Sequence, residues 1–500
     1  MKTALIAIGR LENEYAREFV EHHLALGFDN IVIADNNHEK EEHFEDVLGD
    51  LIADGRVIME DYRDKVAYQC QAYNELYKKY GNTYDWIAFF DFDEQLVLKG
   101  KRELKEWLAG FPSDTDAVLV NWKCMTDGGK LESDGRPMKQ RFKKPMPLDH
   151  ILKRNTPENN HVKCIVRGGL SDVRFLKQPH VPETCPHCRT ADGKPCENSP
   201  FQPYDYSVAT LMHYTTKTIG EWMRNKWQKG VAVYDDELFR KRYASYFYGI
   251  NEETEEKRRY ADAFQRNRDN RLVAVIIHYN TPDVTEACIR SLWKHTPGVY
   301  VIVFDNSDRE PFTKRMANVE VIDNTKGQII NFDEWLTTFP DKEPSPGNDY
   351  GSAKHCYSVQ WIIDHRKNPF ILIDGDVLIK KDIAPLWDKS QAFVGHIGCN
   401  TRRFGFVLNR VEPWLCFINV RMMRQNGITY FNPKKMWNLV SNAPDDHYDT
   451  GAWYLEECNR LGLPYRDIDN TEYGLHMRHG SWRKKNRMEW LRENGDLWQR

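Results

Sequence analysis

The apolar and polar positions of the chain fall into the same order twice. In the first half, "TALIAIGR" (3–10) is an unbroken apolar run and reads as a strand. "NEYAREFVEHHLALG" (13–27) has helical periodicity, with Tyr15, Phe19, His22 and Leu26 on one face and Gly27 placed to end it. "NIVIADNN" is a second strand that stops at Asp35, and the helical stretch "AYQCQAYNELYKKYG" leads to "WIAFFDFDEQL", whose strand ends in Asp91 and Asp93. The second half repeats this with "RLVAVIIHYN", then a helix predicted to start at Thr281 and Pro282. "VYVIVFDNS" ends at Asp305, the helix "AKHCYSVQWIIDHR" follows, and "NPFILIDGDVLI" ends in Asp374 and Asp376. Asp91 follows Asp35 by 56 residues and Asp374 follows Asp305 by 69, a difference one loop insertion explains.

Strand–helix–strand order with continuously apolar strands predicts an α/β fold of parallel sheets flanked by helices. Ligands of such sheets bind beyond the carboxyl ends of the strands, where all six aspartates fall. A length of 500 residues exceeds what one hydrophobic core serves. Between the halves, "NEETEEKRRYADAFQRNRDNR" is dense in both charge signs and reads as a solvated helical connector. The expected organisation is a domain over 1–235, a connector over 236–269 and a domain over 270–500.

Two carboxylates one residue apart at a strand end repel, and burying them without a partner costs free energy. A divalent cation such as Mg²⁺ or Mn²⁺ is the economical partner. The rest of the composition narrows the setting. The chain is 41% hydrophobic and 29% charged, as in ordinary globular proteins, and a net charge of −4 gives no basic surface for nucleic acid. The apolar run at the start is too short for a signal sequence, and no stretch of roughly 18 uncharged apolar residues offers a membrane span. A cytoplasmic protein is expected, with peripheral work at a membrane compatible. Eleven cysteines, an odd number, fit reduced thiols better than a disulfide framework. Cys185, Cys188 and Cys196, near His180 and His187, read either as a structural zinc knuckle or as a surface loop with free thiols.

The second half resembles glycosyltransferase family 2 through "VAVIIHYNTPDVTEACIRSL", "VIVFDNSD", "FILIDGDV" and "DTGAWYLEECNRLGLPY". The first half resembles the bacterial group near families 2 and 92 through "NEYAREFVEHHLALGFDNIVIADNN", "WIAFFDFDEQL" and "LMHYTTKTIGEWMRNKWQKG". The resemblance implies two tandem GT-A-like domains and inverting transfer from nucleotide-diphosphate sugars, UDP-sugars foremost, to a glycan or lipid-linked acceptor in bacterial surface polysaccharide assembly, such as capsule or lipopolysaccharide. By that analogy Asp93 and Asp376 are the direct metal ligands. Asp91 and Asp374 stand beside them, reaching metal or ribose, and His213, His476 and His479 are expected to complete the metal shells. Asp35 and Asp305 match the position that contacts the nucleotide base, or cap the next turn, and Tyr279 and Asn280 fall in the donor-binding stretch. Asp449, with Asp446 in reserve, is the expected general base of the second half; in the first half Asp127 is the candidate, although a Gly-rich turn explains it equally. Lys217 and Lys226 meet the diphosphate or form a solvated face, and Trp414 stacks on an acceptor or joins the core. The rival readings are one active domain with a degenerate glycan-binding one, a sugar nucleotidyltransferase, and a non-enzymatic scaffold.

Overall fold

The structure is a computed structural model, and it describes residues 1–39, 41–100, 103–152, 156–227, 245–342, 349–400, 408–440, 449–477 and 483–499. The chain divides into two compact units, Met1–Arg258 with Arg315–Ala317, and Arg259–Lys314 with Asn318–Arg500.

The strands of the first unit are β1 (Thr3–Gly9), β2 (Asn30–Asp35), β3 (Val57–Asp61), β4 (Trp86–Phe89), β5 (Glu94–Leu98), β6 (Ala117–Cys124), β7 (Val162–Arg167), β8 (Cys188–Thr190), β9 (Pro195–Cys196) and β10 (Ala209–His213). They form one sheet in the order β3-β2-β1-β4-β7-β6-β10-β5, with β8 beside β6 and β9 beside β8. The first four are mutually parallel. β7 runs antiparallel to both β4 and β6. The expected strand–helix–strand order thus gives an α/β fold. The helix Asn13–Leu26 ends where Gly27 takes φ 117, a backbone that suits glycine. His23 rather than His22 is its fully buried histidine: it lies over Phe19, and its Nε2 accepts the Leu96 amide at 3.2 Å.

The second unit contains β11 (Val273–His278), β12 (Tyr300–Asp305), β13 (Val319–Asp323), β14 (Phe370–Asp374), β15 (Val377–Ile379), β16 (Phe393–Asn400), β17 (Leu408–Ile418), β18 (Arg466–Asp467) and β19 (Gly474–His476). Its main sheet has the order β13-β12-β11-β14-β17-β16-β18, and β15 pairs with β19. β13, β12, β11 and β14 are parallel, β17 is antiparallel to β14 and β16 antiparallel to β17, so these six strands repeat the order β3-β2-β1-β4-β7-β6 of the first unit. The helix Pro282–His295 begins at the predicted proline, but the Thr281 side chain makes no cap.

The segment read as a solvated connector holds a helix, Glu255–Asp269. Tyr260, Ala261, Phe264 and Asn267 on it are buried, so one of its faces is packed. Among the described residues no helix is long and apolar enough to cross a membrane.

Candidate active site

The parallel strands bring each Asp-x-Asp to the carboxyl end of its sheet. In the second unit Ile277 pairs with Asp374 across β11 and β14, and the chain turns through Gly375 into β15. A Cβ on Gly375 would lie 2.6 Å from the Thr285 hydroxyl, so only glycine fits between the two aspartates. β15 pairs Val377 with His476 of β19, which sets the imidazole beside both carboxylates. His476 Nε2 lies 3.1 Å from Asp376 and 4.0 Å from Asp374, and His355, from the helix Gly351–His365, reaches Asp374 at 3.4 Å. The ligand atoms of Asp374, Asp376 and His476 lie within 4.8 Å of one another. Burial pulls the His476 pKa down, but Asp376 and Asp374 outweigh it and raise it above the usual value. Asp374 is held low, despite burial, by His355 and His476.

The first unit reaches the same place with other neighbours. β5 pairs Glu94 with His213 of β10, the positions that Val377 and His476 hold in the second unit. His213 is likewise brought to the motif, 3.7 Å from Asp93. Three lysines are there as well. Lys163 Nζ donates to Asp91 at 2.8 Å, while Lys226 and Lys217 lie 3.2 and 3.8 Å from Asp93. Burial would raise the Asp93 pKa, yet Lys226, Lys217 and His213 hold it well below the usual carboxylate range. Burial pushes Glu94 well above that range, and its Oε1 accepts the Trp122 indole N–H at 2.7 Å.

Residues 12–244 match the model of Glycosyltransferase family 92, a little under half the chain. The chain is a glycosyltransferase. No curated protein matches it. Among solved structures it is similar to the galactosyltransferase LgtC in complex with donor and acceptor sugar analogs, at 14% identity and a TM-score of 0.28, covering 40% of this chain and 74% of that one. Similarity to S. aureus TarS 1-349 is 11% identity and TM-score 0.25, covering 50% and 71%. A mannosyltransferase from Pyrobaculum calidifontis, in complex with GDP-Man and Mn2+, shows 12% and 0.23, covering 43% and 65%. These likenesses are weak and concern the fold alone.

The remaining expected site residues of this glycosyltransferase are placed as follows. Asp35 and Asp305 are both buried at the ends of β2 and β12. Asp35 accepts the Asn37 backbone and side-chain N–H and pairs with Arg63 at 2.8 Å. Asp305 accepts the Ser307 and Phe312 amides at 2.9 and 2.7 Å. Each carboxylate therefore closes the turn after its strand. Asn280 shapes a second loop, its Oδ1 accepting the Arg309 and Glu310 amides, while Tyr279 is exposed and donates to Asp308. Asp127 caps the glycine turn through the Gly129 amide and pairs with the buried Lys257 at 2.6 Å. Asp449 precedes the helix Ala452–Leu461, its oxygens held by Arg410 at 3.0 Å, the Trp437 indole at 3.2 Å and the Thr450 amide at 2.8 Å. Asp446 and His479 lie outside the described residues.

Trp414 is buried and stacks on His476 with centroids 5.4 Å apart, so it backs the site from the core. Lys217 and Lys226 are not a solvated face, because both close on Asp93. His180 is half-buried, its Nδ1 lies 2.9 Å from the Val162 carbonyl, and desolvation followed by Lys163 lowers its pKa to about 3. Cys185, Cys188 and Cys196 are free thiols. β8 and β9 pair Cys188 with Cys196, but the three sulfurs do not gather as tightly as Asp374, Asp376 and His476 do.

Sequence reasoning missed Lys163, His355 and Arg410. A single lysine inside the apolar run "HVKCIVR" was the available signal for the first. The helical period alone does not tell which face of "AKHCYSVQ" meets a strand end.

The two ends suit a metal differently. Two carboxylates and an imidazole form an oxygen-and-nitrogen donor set that suits Mn²⁺ or Mg²⁺. That describes Asp374, Asp376 and His476. In the first unit a divalent ion would sit among three ammonium groups. Each unit-charge repulsion at 4 Å costs about 4 kcal/mol at an effective dielectric near 20. That end does not fit a metal.

Proposed function

We propose that the chain transfers sugars from nucleotide-diphosphate donors to acceptor hydroxyls with inversion, one transfer per unit, and that the second unit uses Mn²⁺ or Mg²⁺. The observation that carries the metal reading is the grouping of Asp374, Asp376 and His476 at the carboxyl end of a parallel sheet. When bound there, the ion supplies Lewis-acid neutralisation of the diphosphate leaving group. Trp414 stacks on His476 and holds the imidazole plane. On the acceptor side we assign Asp449 as the base that receives the hydroxyl proton, with Arg410 and Trp437 fixing its carboxylate. The acceptor in this proposal is a glycan or a lipid-linked sugar of bacterial surface polysaccharide assembly, handled at the inner face of the membrane.

The test is incubation of the full chain with a panel of UDP- and GDP-sugars, with Mn²⁺ or with EDTA. Release of nucleoside diphosphate and formation of a glycoside support the proposal, and EDTA should remove the second unit's product. Pyrophosphate release would instead identify a nucleotidyltransferase. A chain that consumes no donor would be a glycan-binding scaffold.

A further inference from the structure

The two strand ends are equivalent in backbone and opposite in charge. Resting on the nucleotide-diphosphate donor reading above, we propose that the first unit holds its donor diphosphate without a divalent cation, with the Lys226 ammonium and Lys217 behind it in the place where the second unit puts a metal. Asp91 and Asp93 precede Glu94 as Asp374 and Asp376 precede Val377, and His213 pairs with Glu94 as His476 pairs with Val377, so a metal shell was available to this backbone. Lysines occupy the space instead.

Their roles differ. Lys163 is fully buried and donates to Asp91 at 2.8 Å, which locks that carboxylate into the sheet. Lys226 lies 3.2 Å from Asp93 and keeps 21% of its side chain exposed, so a ligand can reach it. It sits in the π-helical turn Met223–Trp227, a backbone irregularity that often marks functional positions. Lys217 is buried 3.8 Å from Asp93, with its ammonium over the Tyr15 ring at 4.4 Å. Its φ of 51 is a strained setting for lysine, and it is held by the capping box that Thr218 and Glu221 form immediately after it. Lys163 is shared between Asp91 and Glu94, which lies 3.9 Å from it, while Lys226 and Lys217 face Asp93 together, so Lys226 can turn from Asp93 to an incoming diphosphate. Asp93 in this arrangement positions Lys226 and binds no ion.

The experiment has two arms on the full chain stripped of metal. Electron paramagnetic resonance counts bound Mn²⁺; the expected result is one ion per chain, lost in Asp376→Asn and kept in Asp93→Asn. Two ions, or an ion lost in Asp93→Asn, would overturn the proposal. Calorimetry then follows UDP and GDP binding in EDTA. One nucleotide per chain should bind, weakened at least about tenfold by Lys226→Gln, the loss expected of one charge-assisted contact. The double variant Asp93→Asn/Lys226→Gln removes one charge of each sign, so it leaves the net charge of the buried site unchanged. It should bind as weakly as the single variant while melting like the native chain. Native-like affinity in either variant rejects Lys226. Nucleotide binding only with Mn²⁺ leaves the donor reading standing and rejects this one; binding under neither condition rejects both.

Discussion

Asp91 and Asp374 each open the Asp-x-Asp at the carboxyl end of the fourth strand of their unit, yet Asp91 gives an oxygen to Lys163 at 2.8 Å while Asp374 faces the imidazole of His355 at 3.4 Å. Following the registers outward shows how one backbone accommodates both. Lys163 on β7 corresponds to Leu415 on β17, and Glu94 corresponds to Val377. The first unit buries a lysine with carboxylates where the second buries two aliphatic side chains. The residue between the aspartates is exchanged in a compensated way too. Phe92 lies where a Cβ on Gly9 would meet it at 2.5 Å, so a large residue faces a glycine. In the second unit the partners are His278 and Gly375: the large residue has moved to the neighbouring strand, where its Nδ1 lies 2.8 Å from the Thr285 hydroxyl. Volume and charge are conserved across each pair rather than at each position. The difference between the ends is therefore a property of whole neighbourhoods, and single substitutions should not convert one into the other.

The largest effect expected is at the second unit. Asp376→Asn keeps the shape but removes an anionic ligand, and Mn²⁺-stimulated turnover should fall about 10²- to 10³-fold, the scale of losing one electrostatic element of a site. Steady-state assays at saturating donor check this. Stimulation that survives in the variant would break the contrast between the two ends.

Next comes the buried lysine. Lys163→Leu imports the second unit's residue but leaves Asp91 and Glu94 without their cation, and removing one partner of a buried pair costs about 3–5 kcal/mol. Adding Glu94→Val should recover part of that loss, because it completes the aliphatic pair that Leu415 and Val377 form. Urea unfolding of the single and double variants measures the coupling. If the double variant is no more stable than the single one, the two pairs are not interchangeable.

How much of this was legible in the residues follows from what each signal depends on. The strand ends were readable, because apolar runs terminating in Asp35, Asp91, Asp305 and Asp374 are set by local pattern. His213 and His476 were located by chain order, and the paired registers place both beside their motifs. Charge balance was not legible. Lys163 reaches the aspartates from one segment and Lys217 and Lys226 from another, both far from the motif in sequence, and nothing in the local pattern of either fixes its partner. The same limit applies to Asp127 and Asp449, whose cations Lys257 and Arg410 come from distant positions.

A smaller effect concerns acid. Glu221 in the first unit is buried against Arg141 at 2.8 Å; burial would raise its pKa, but Arg141 brings it down to about 2. A folded-state pKa below the unfolded value of about 4.3 gives stability that is present above pH 4.3 and lost as pH falls towards 2. The two-unit gap corresponds to roughly 3 kcal/mol. Glu221→Gln should be less stable than the native chain at pH 7, and the two should converge near pH 2. Chemical denaturation across that range reads the convergence. A constant difference would show that the glutamate acts through packing.

The smallest contrast separates two carboxylates with the same place in the topology. Asp35 and Asp305 each end the second strand of their sheet, and each is almost wholly buried. Asp305 uses one oxygen for the Ser307 amide and the other for the Phe312 amide. Asn at that position offers a single acceptor, so one backbone N–H is left in the interior facing another donor. Asp35 uses one oxygen for Asn37 and the other for Arg63, whose side chain retains 25% exposure and can turn to water when the charge is gone. Asp305→Asn should therefore cost about 1–2 kcal/mol and Asp35→Asn about half as much, since an unpaired buried donor is penalised more than a surface one. Thermal melts of the two variants test the order. Calorimetry with UDP tests whether these carboxylates do more than close turns. A loss of affinity beyond the loss of stability would mean that the carboxylate also meets the nucleotide. Unchanged affinity in both would confine Asp35 and Asp305 to shaping the loop, leaving recognition of the base to other residues at the same sheet end.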